Sequence, residues 1–295
     1  MIKKILKYVK RFLILVVGIS SLYLVNLFLM KPFSIDHFLG KELVVDLIDS
    51  PEALTYIGIF DRFNWITKHN SRLTIPSDDD INEEIESLEK SIKTLYKYKD
   101  SRLTDVQKNT KKIAIFDYEN NLKELKEFPH HDYPLNQIGG IHLNTIEFLS
   151  DMHPVRNISE AEGFIKRVNL IKQVYEGTLK DLEKQADAGI YPPEFVYGHV
   201  IEQLNEFISF TYEEHPLFTQ FMKKVNDLDI TSEEKASLEE AVKDGIDESV
   251  TPGFILLRDF MIRTQKNANK NHGIWSQPNG DEYYKLRIRT YTTTD

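Results

Sequence analysis

From Phe12 to Met30 the chain runs for nineteen residues without an ionisable side chain, and only Ser20, Ser21 and Asn26 are strongly polar. A helix of that length rises roughly 28 Å, close to the ~30 Å hydrocarbon core of a bilayer. Such a segment must lie in lipid or be wrapped by protein. Five cations precede it: Lys3, Lys4, Lys7, Lys10 and Arg11. The positive-inside rule then makes residues 1–11 a cytoplasmic basic segment and residues 12–30 a single transmembrane anchor, with the body outside the cell membrane. A cleaved signal peptide is the competing reading. It needs a shorter apolar stretch closed by small residues, and cleavage near Gly18 and Ser20 would leave only about six apolar residues upstream. An uncleaved anchor is the expectation.

The net charge of -9 hides an uneven distribution: six of the 37 basic side chains and none of the 46 acidic ones lie in residues 1–31. The body is therefore strongly acidic, which excludes nucleic acid as a partner because phosphate backbones would be repelled. The absence of cysteine removes disulfides, thiolate nucleophiles, Cys-ligated zinc, iron–sulfur clusters and lipid attachment through cysteine.

Beyond Pro32 the apolar pattern is helical. Ile81, Ile85, Leu88, Ile92 and Leu95 form one stripe, opposed by Glu83, Glu84, Glu86, Lys90 and Lys93 as a solvated face. The preceding Asp78-Asp79-Asp80 run supplies a cap and favourable charge for the helix dipole. Capping-box signatures at Thr104–Gln107, Ser159–Glu162 and Thr231–Glu234 predict helices running to about Phe128, Ala188 and Gly245. Breaks are predicted at Pro129, Gly139-Gly140, Gly189, Pro192-Pro193, Pro216 and Pro252-Gly253. Residues 282–294 fit a strand or a helix, with helix preferred. The fold class is thus all-α, with roughly eight or nine helices after the anchor. Residues 34–295 are expected to form one helical extracytoplasmic domain or part of a larger one.

Motifs that carry chemistry are sparse. None of the nine histidines opens an H-E-x-x-H zinc motif. His199-Val-Ile-Glu202-Gln203 would be its inverted form if position 203 were histidine, and Gln203 removes that ligand. Glu127-Phe-Pro-His130 has the spacing of one di-iron half-site, but Pro129 interrupts the helix and no second copy exists. Neither G-x-S-x-G, a P-loop nor G-x-G-x-x-G occurs, so serine-hydrolase, triphosphatase and dinucleotide chemistry lose their support.

Five segments are too particular for ordinary core: Tyr56-Ile-Gly58, His69-Asn70-Ser71-Arg72-Leu73, Tyr133-Pro134 to Gly139-Gly140, Gly189-Ile-Tyr-Pro192-Pro193, and Gly273-Ile-Trp275 through Pro278-Asn279-Gly280-Asp-Glu-Tyr283-Tyr284 to Thr292-Thr293-Thr294. In this order they resemble the bacterial domain-of-unknown-function family 885 from about residue 36 onward. That family is similar to zinc-dependent peptidases of the gluzincin kind. The resemblance implies a mostly helical peptidase-like fold about twice as long, peptides as substrate class, and a zinc segment beyond the Thr triplet. No metal ligand or catalytic residue can therefore be carried onto this chain, and no cofactor is expected in it. Zinc is expected only with the C-terminal half, so that the chain is an anchored N-terminal half, inactive alone, which either acts with a separately encoded C-terminal half or survives as a truncated remnant. The alternative is a non-catalytic module at the cell envelope that binds peptides or partner proteins.

Within the last segment Pro278-Asn279-Gly280 reads as a turn, since Asn and Gly tolerate positive φ. It is expected to bring Trp275 near Tyr283 and Tyr284. The candidate substrate-binding residues are accordingly Trp275, Asn279, Tyr283, Tyr284 and Arg289. Their tyrosines either hydrogen-bond a peptide backbone or pack a helix. Arg287 and Arg289 either meet a peptide carboxylate or form an ion-paired face.

Overall fold

The computed structural model describes residues 2–77 and 79–294, so Met1, Asp78 and Asp295 lie outside the described residues. The helices are α1 (Ile2–Leu29), α2 (Ile35–Asp49), α3 (Pro51–Ile57), α4 (Asn64–Thr67), α5 (Asp80–Tyr96), α6 (Asp105–Glu127), α7 (Ile141–Glu147), α8 (Ile158–Asp187), α9 (Glu194–Ser209), α10 (Pro216–Asn226), α11 (Ser232–Gly245), α12 (Thr251–Thr264) and α13 (Gly280–Thr292). The fold is all-α. Among the described residues β-type pairing is limited to an isolated bridge between Pro193 and Asn269. There are more helices than the periodicity predicts, because α3, α4 and α7 are too short to show a period.

Most boundaries follow local chemistry. Thr104 and Gln107 close a reciprocal cap at the start of α6, with bonds of 3.1 and 3.3 Å. Thr231 and Glu234 do the same for α11. The predicted stripe on α5 is turned inward, from Ile81 and Ile85 to the buried Leu95. Residues 282–294 are helical in α13 except its last two positions. Two expectations are corrected. α8 is capped by Asn157, whose side chain accepts from the Glu160 N–H, so Ser159 falls inside the first turn. No break occurs at Pro252-Gly253: a π-turn over Ile246–Val250 joins α11 to α12, placing Pro252 in a first turn, where its missing N–H costs nothing.

The chain divides into two compact units. The first comprises Met1–Asp49 and Glu86–Leu122. Its α1 carries a stretch, Lys4–Leu29, long and apolar enough to cross a membrane. The side chains along it are exposed, as at Leu22 and Leu29. The exit from α1 is fixed by Asn26, which donates to the Lys31 carbonyl (3.0 Å) and accepts from the Phe33 N–H (2.9 Å). The core of this unit is Ile35, Phe38, Leu95 and Tyr98.

The second unit, Ser50–Ile85 and Lys123–Asp295, is built on α8. Phe164, Val168, Ile171, Val174 and Tyr175 of this helix are buried among residues of α9 to α12. Phe164 stacks on Phe221 at 4.6 Å between ring centroids. The segment from His69 to Pro76 crosses α8 at two glycines. A Cβ on Gly163 would lie 2.6 Å from the Asn70 carbonyl oxygen, and one on Gly177 would lie 2.4 Å from that of Pro76. Both obstacles are backbone, which cannot rotate away. Gly177→Ala is therefore expected to destabilise the second unit by about 1–3 kcal/mol, read from the urea midpoint. Gly198→Ala, whose Cβ would meet nothing within 4 Å, should be neutral or slightly stabilising. Equal effects at the two positions would refute the close-approach account.

Candidate functional site

The site is assembled around one buried cation. Arg167 is fully enclosed, and its guanidinium faces hydrogen-bond acceptors on every side. Nε donates to the Arg72 carbonyl (2.8 Å), Nη1 to His153 Nδ1 (2.8 Å), and Nη2 to Thr55 Oγ1 and the His69 carbonyl (both 2.8 Å) and the Pro51 carbonyl (3.3 Å). Burial lowers its pKa to about 10, so it stays charged at neutral pH. One planar fork thereby ties α3 and the His69–Ser71 turn to α8. A surrounding ring of pairs extends it: Arg156 bonds Glu160 (2.7 Å) and Asp61 (2.5 Å), and Asp61 also meets His69 Nε2 at 3.3 Å.

The Arg167 guanidinium also lies 4.9 Å from the centre of the Phe148 ring. Phe148 lines a groove of about 510 Å³ with Tyr56, Leu73, Pro76, Tyr133, Ile141 and Val174, with Glu52, Thr74, Asn144 and Thr145 as its main polar groups. Tyr56 lies against Phe148 at 5.3 Å and is half exposed. Along the groove the chain after Arg72 is non-helical and starts extended (Arg72 φ −128°, ψ 152°). Glu52 accepts from the Thr74 N–H (2.8 Å) and hydroxyl (2.7 Å), which fixes this segment. Among the described residues, Leu73 and Ile75 on either side make no hydrogen bond through their backbone groups. Three of the five motif segments thus converge on the groove. The apolar lining beside free main-chain donors and acceptors suits an extended, partly apolar chain.

The other motif segments meet at Tyr133. Its hydroxyl accepts from Gln277 Nε2 (2.5 Å), which also donates to the Tyr191 carbonyl (2.7 Å), while His131 Nε2 donates to the Pro278 carbonyl (2.7 Å). Burial pushes the Tyr133 phenol above its ordinary range. The predicted turn is present, with Asn279 in the left-handed region at φ 53°.

The five candidate residues do not share one face. Tyr283 is 2% exposed, packed on Phe128 and His131, with its hydroxyl 3.1 Å from Asp132 and 3.3 Å from Glu124. Burial and these two carboxylates raise its pKa. Tyr284, one helical step away, is 54% exposed, and Trp275 is 60% exposed. Arg289 is half-buried and engaged within the protein. Arg287 pairs with Glu124 at 2.8 Å, the ion-paired reading of that side chain. The groove residues Glu52, Tyr56 and Tyr133 were not singled out as binding residues by sequence reasoning, although Tyr56 and Tyr133 lie in the motif segments.

Metal chemistry finds no fitting donor set. Among the described residues no three His, Asp or Glu side chains are grouped to hold an ion. His199 is exposed. Gln203, which replaces the second histidine of the inverted motif, accepts from His142 Nε2 (3.0 Å) and donates to the Gln137 carbonyl (3.0 Å). Its amide needs both a donor and an acceptor end, a task imidazolium or metal ligation would not fill.

The fold is similar to that of a chain from Colwellia psychrerythraea described as a "putative lipoprotein", with 19% identity and a TM-score of 0.71. The similarity covers 84% of this chain and 45% of that one, so the present chain spans less than half of that relative's length. No curated protein sequence matches. Residues 51–295, from the first residue of α3 through the groove, match the family described as "Bacterial protein of unknown function (DUF885)". The chain belongs to the DUF885 family of bacterial proteins.

Proposed function

We propose that this protein is a membrane-anchored, peptide-holding member of its family. The anchor is α1, with the N-terminus cytoplasmic and the body outside, and the groove beside residues 72–76 receives an extended peptide. The observation that carries the reading is the groove itself: aromatic and aliphatic walls next to unpaired backbone groups at Leu73 and Ile75. Main-chain pairing would supply affinity without sequence preference, and the apolar walls would select bulky side chains.

Peptidase chemistry, implied by the family's resemblance to gluzincins, is assigned here to a separate zinc-bearing part and not to these residues. An exposed apolar stretch over α3 and α4 supports a further packing partner. Tyr56, Ile57, Ile59, Phe63, Trp65 and Ile66 are each at least 43% exposed, a concentration typical of an interaction surface. In that arrangement the present chain holds the substrate and the partner cuts it. Without the partner it is a binding module.

Fluorescence polarisation with labelled octapeptides rich in Leu and Phe tests this, using the full-length protein in neutral detergent with EDTA present. Saturable binding is expected, weakened about tenfold (~1.4 kcal/mol) by Tyr56→Ala, since an exposed aromatic anchor on a groove wall contributes on that scale. Tyr284→Ala, remote from the groove lining, should leave binding unchanged. Binding that does not saturate, or that ignores Tyr56→Ala, rules the groove out.

A further inference from the structure

A second cavity, of about 620 Å³, lies within the first unit, where the membrane helix ends. One side is apolar and comes from the end of α1, the residue after it and α2: Phe28, Leu29, Met30 and Val45. The other side is cationic. Lys31, Lys41, Lys90, Lys93 and Lys97 all line it. Lys90 and Lys93 are exposed, as the solvated face of the α5 pattern predicts, and in the fold they also converge with lysines from two other segments.

Lys41 pairs with Glu42, but the other four cations are not neutralised locally. Lys90, Lys93 and Lys97 have no carboxylate partner among the described residues. Lys31 lies over the Tyr98 ring at 4.0 Å. Two acids share the lining, Glu42 and Asp46. Glu42 is already taken up by Lys41 at 2.5 Å and by the Ser91 hydroxyl. Asp46, partly buried beside Glu42 and Asp49, is raised above the usual carboxylate range. In a chain whose body is strongly acidic, this local excess of unpaired lysines around one cavity is complementary to an anion.

Position supplies the second argument. The apolar run ends at Met30, so the cavity starts where hydrocarbon gives way to headgroups. The exit is rigid: besides the Asn26 bonds, the Tyr98 hydroxyl donates to the Pro32 carbonyl at 2.8 Å. The lysines of α5 and the Lys97 that follows it are therefore held at a fixed height relative to the end of the span. A ligand matching this lining has a phosphate for the lysines and an acyl chain for Phe28, Leu29 and Val45.

We infer that this cavity is a binding site for an anionic phospholipid, which clamps the body to the leaflet through its headgroup phosphate. The inference rests on the reading of α1 as a membrane anchor. Lysines near a membrane surface each add attraction to anionic lipid that is screened by salt. Specific docking in a cavity adds a one-to-one stoichiometry that diffuse attraction lacks.

The test uses full-length protein in two steps. Flotation with neutral phosphatidylcholine vesicles checks the anchor alone; failure to float would remove the anchor reading and this site with it. Native mass spectrometry in neutral detergent then compares dioleoyl phosphatidylglycerol with dioleoyl phosphatidylcholine. A single phosphatidylglycerol adduct, at least tenfold more populated than the phosphatidylcholine adduct, is expected. The triple substitution Lys90→Gln, Lys93→Gln, Lys97→Gln should abolish the preference while flotation persists. A control triple at exposed lysines of the second unit, Lys180→Gln, Lys223→Gln, Lys266→Gln, should not change it. Equal adducts in the parent, or a preference that survives the first triple, overturns the site. Displacement of the lipid by low-millimolar inorganic phosphate would make it a free-anion site and overturn the lipid assignment.

Discussion

Replacing Arg167 by methionine is expected to lower the stability of the second unit by about 3–5 kcal/mol, the scale on which removal of one partner from a buried charged network acts. Methionine fills much of the same volume, so the loss comes from the acceptors left behind. The carbonyls of Arg72 and His69, the Thr55 hydroxyl and His153 Nδ1 each lose a 2.8 Å partner inside the protein. Each orphaned buried acceptor costs about 1–3 kcal/mol, offset in part because the desolvated guanidinium is gone. Arg167→Lys should recover only part of the loss, since an ammonium has three donors and no planar fork. Both tryptophans of the chain, Trp65 and Trp275, lie in the second unit. Urea unfolding followed by tryptophan fluorescence therefore reads this unit alone. A loss below about 1 kcal/mol would mean that the acceptors find water or other partners. Because Arg167 fixes α3, the His69–Ser71 turn and Phe148, peptide binding should fall with stability, whereas phosphatidylglycerol binding in the first unit should not.

Arg167 also marks how far a sequence can be read. It falls among Phe164, Val168, Ile171 and Tyr175 on the apolar stripe of α8, and a cation on such a stripe signals either a snorkelling side chain or a buried network. Three of its five acceptors, however, are main-chain carbonyls from segments 95 to 116 residues away, and no residue type encodes a carbonyl. The helices themselves are legible because capping and periodicity are local: Thr231 with Glu234, or the α5 stripe, each work within a few residues. The C-terminal candidates are divided between two faces for the opposite reason. Tyr283 and Tyr284 are equivalent in sequence, yet a helix turns 100° per residue. One is therefore sealed against Phe128 and His131 while the other faces solvent. The groove is lined by the motif segments, but Tyr56, Leu73 and Tyr133 come together there from segments far apart in the chain, a juxtaposition that no local pattern encodes.

Acid should weaken the second unit well before its carboxylates are protonated. His153 donates from Nε2 to the Glu160 carbonyl (3.0 Å), which leaves Nδ1 as the acceptor for Arg167 (2.8 Å). A proton on Nδ1 would face an N–H of a buried cation, and burial together with Arg167 holds the His153 pKa down at about 3. His215 caps α10 by accepting from the Leu217 N–H through Nδ1 (3.3 Å). Burial holds its pKa at about 4. In the unfolded chain both imidazoles titrate near 6.5. Between pH 6.5 and about 4 the unfolded state therefore binds protons that the folded state refuses, so stability rises with pH across that window and is complete above it. These two groups alone contribute a slope on the order of 2.7 kcal/mol per pH unit at its steepest, to which His69, His130 and His142, also held down by burial, add. Tryptophan-detected urea midpoints from pH 7.5 to 5.0 measure it in a range where most carboxylates are still ionised. His215→Asn should keep the cap, since Asn accepts the same N–H, and should lower the slope by about 1.4 kcal/mol per pH unit. His199→Asn, at an exposed imidazole, should leave the slope intact. A flat profile in the parent protein, or a slope that His215→Asn does not reduce, would show that these imidazoles take up protons in place, and the donor–acceptor assignment around Arg167 would have to be redrawn.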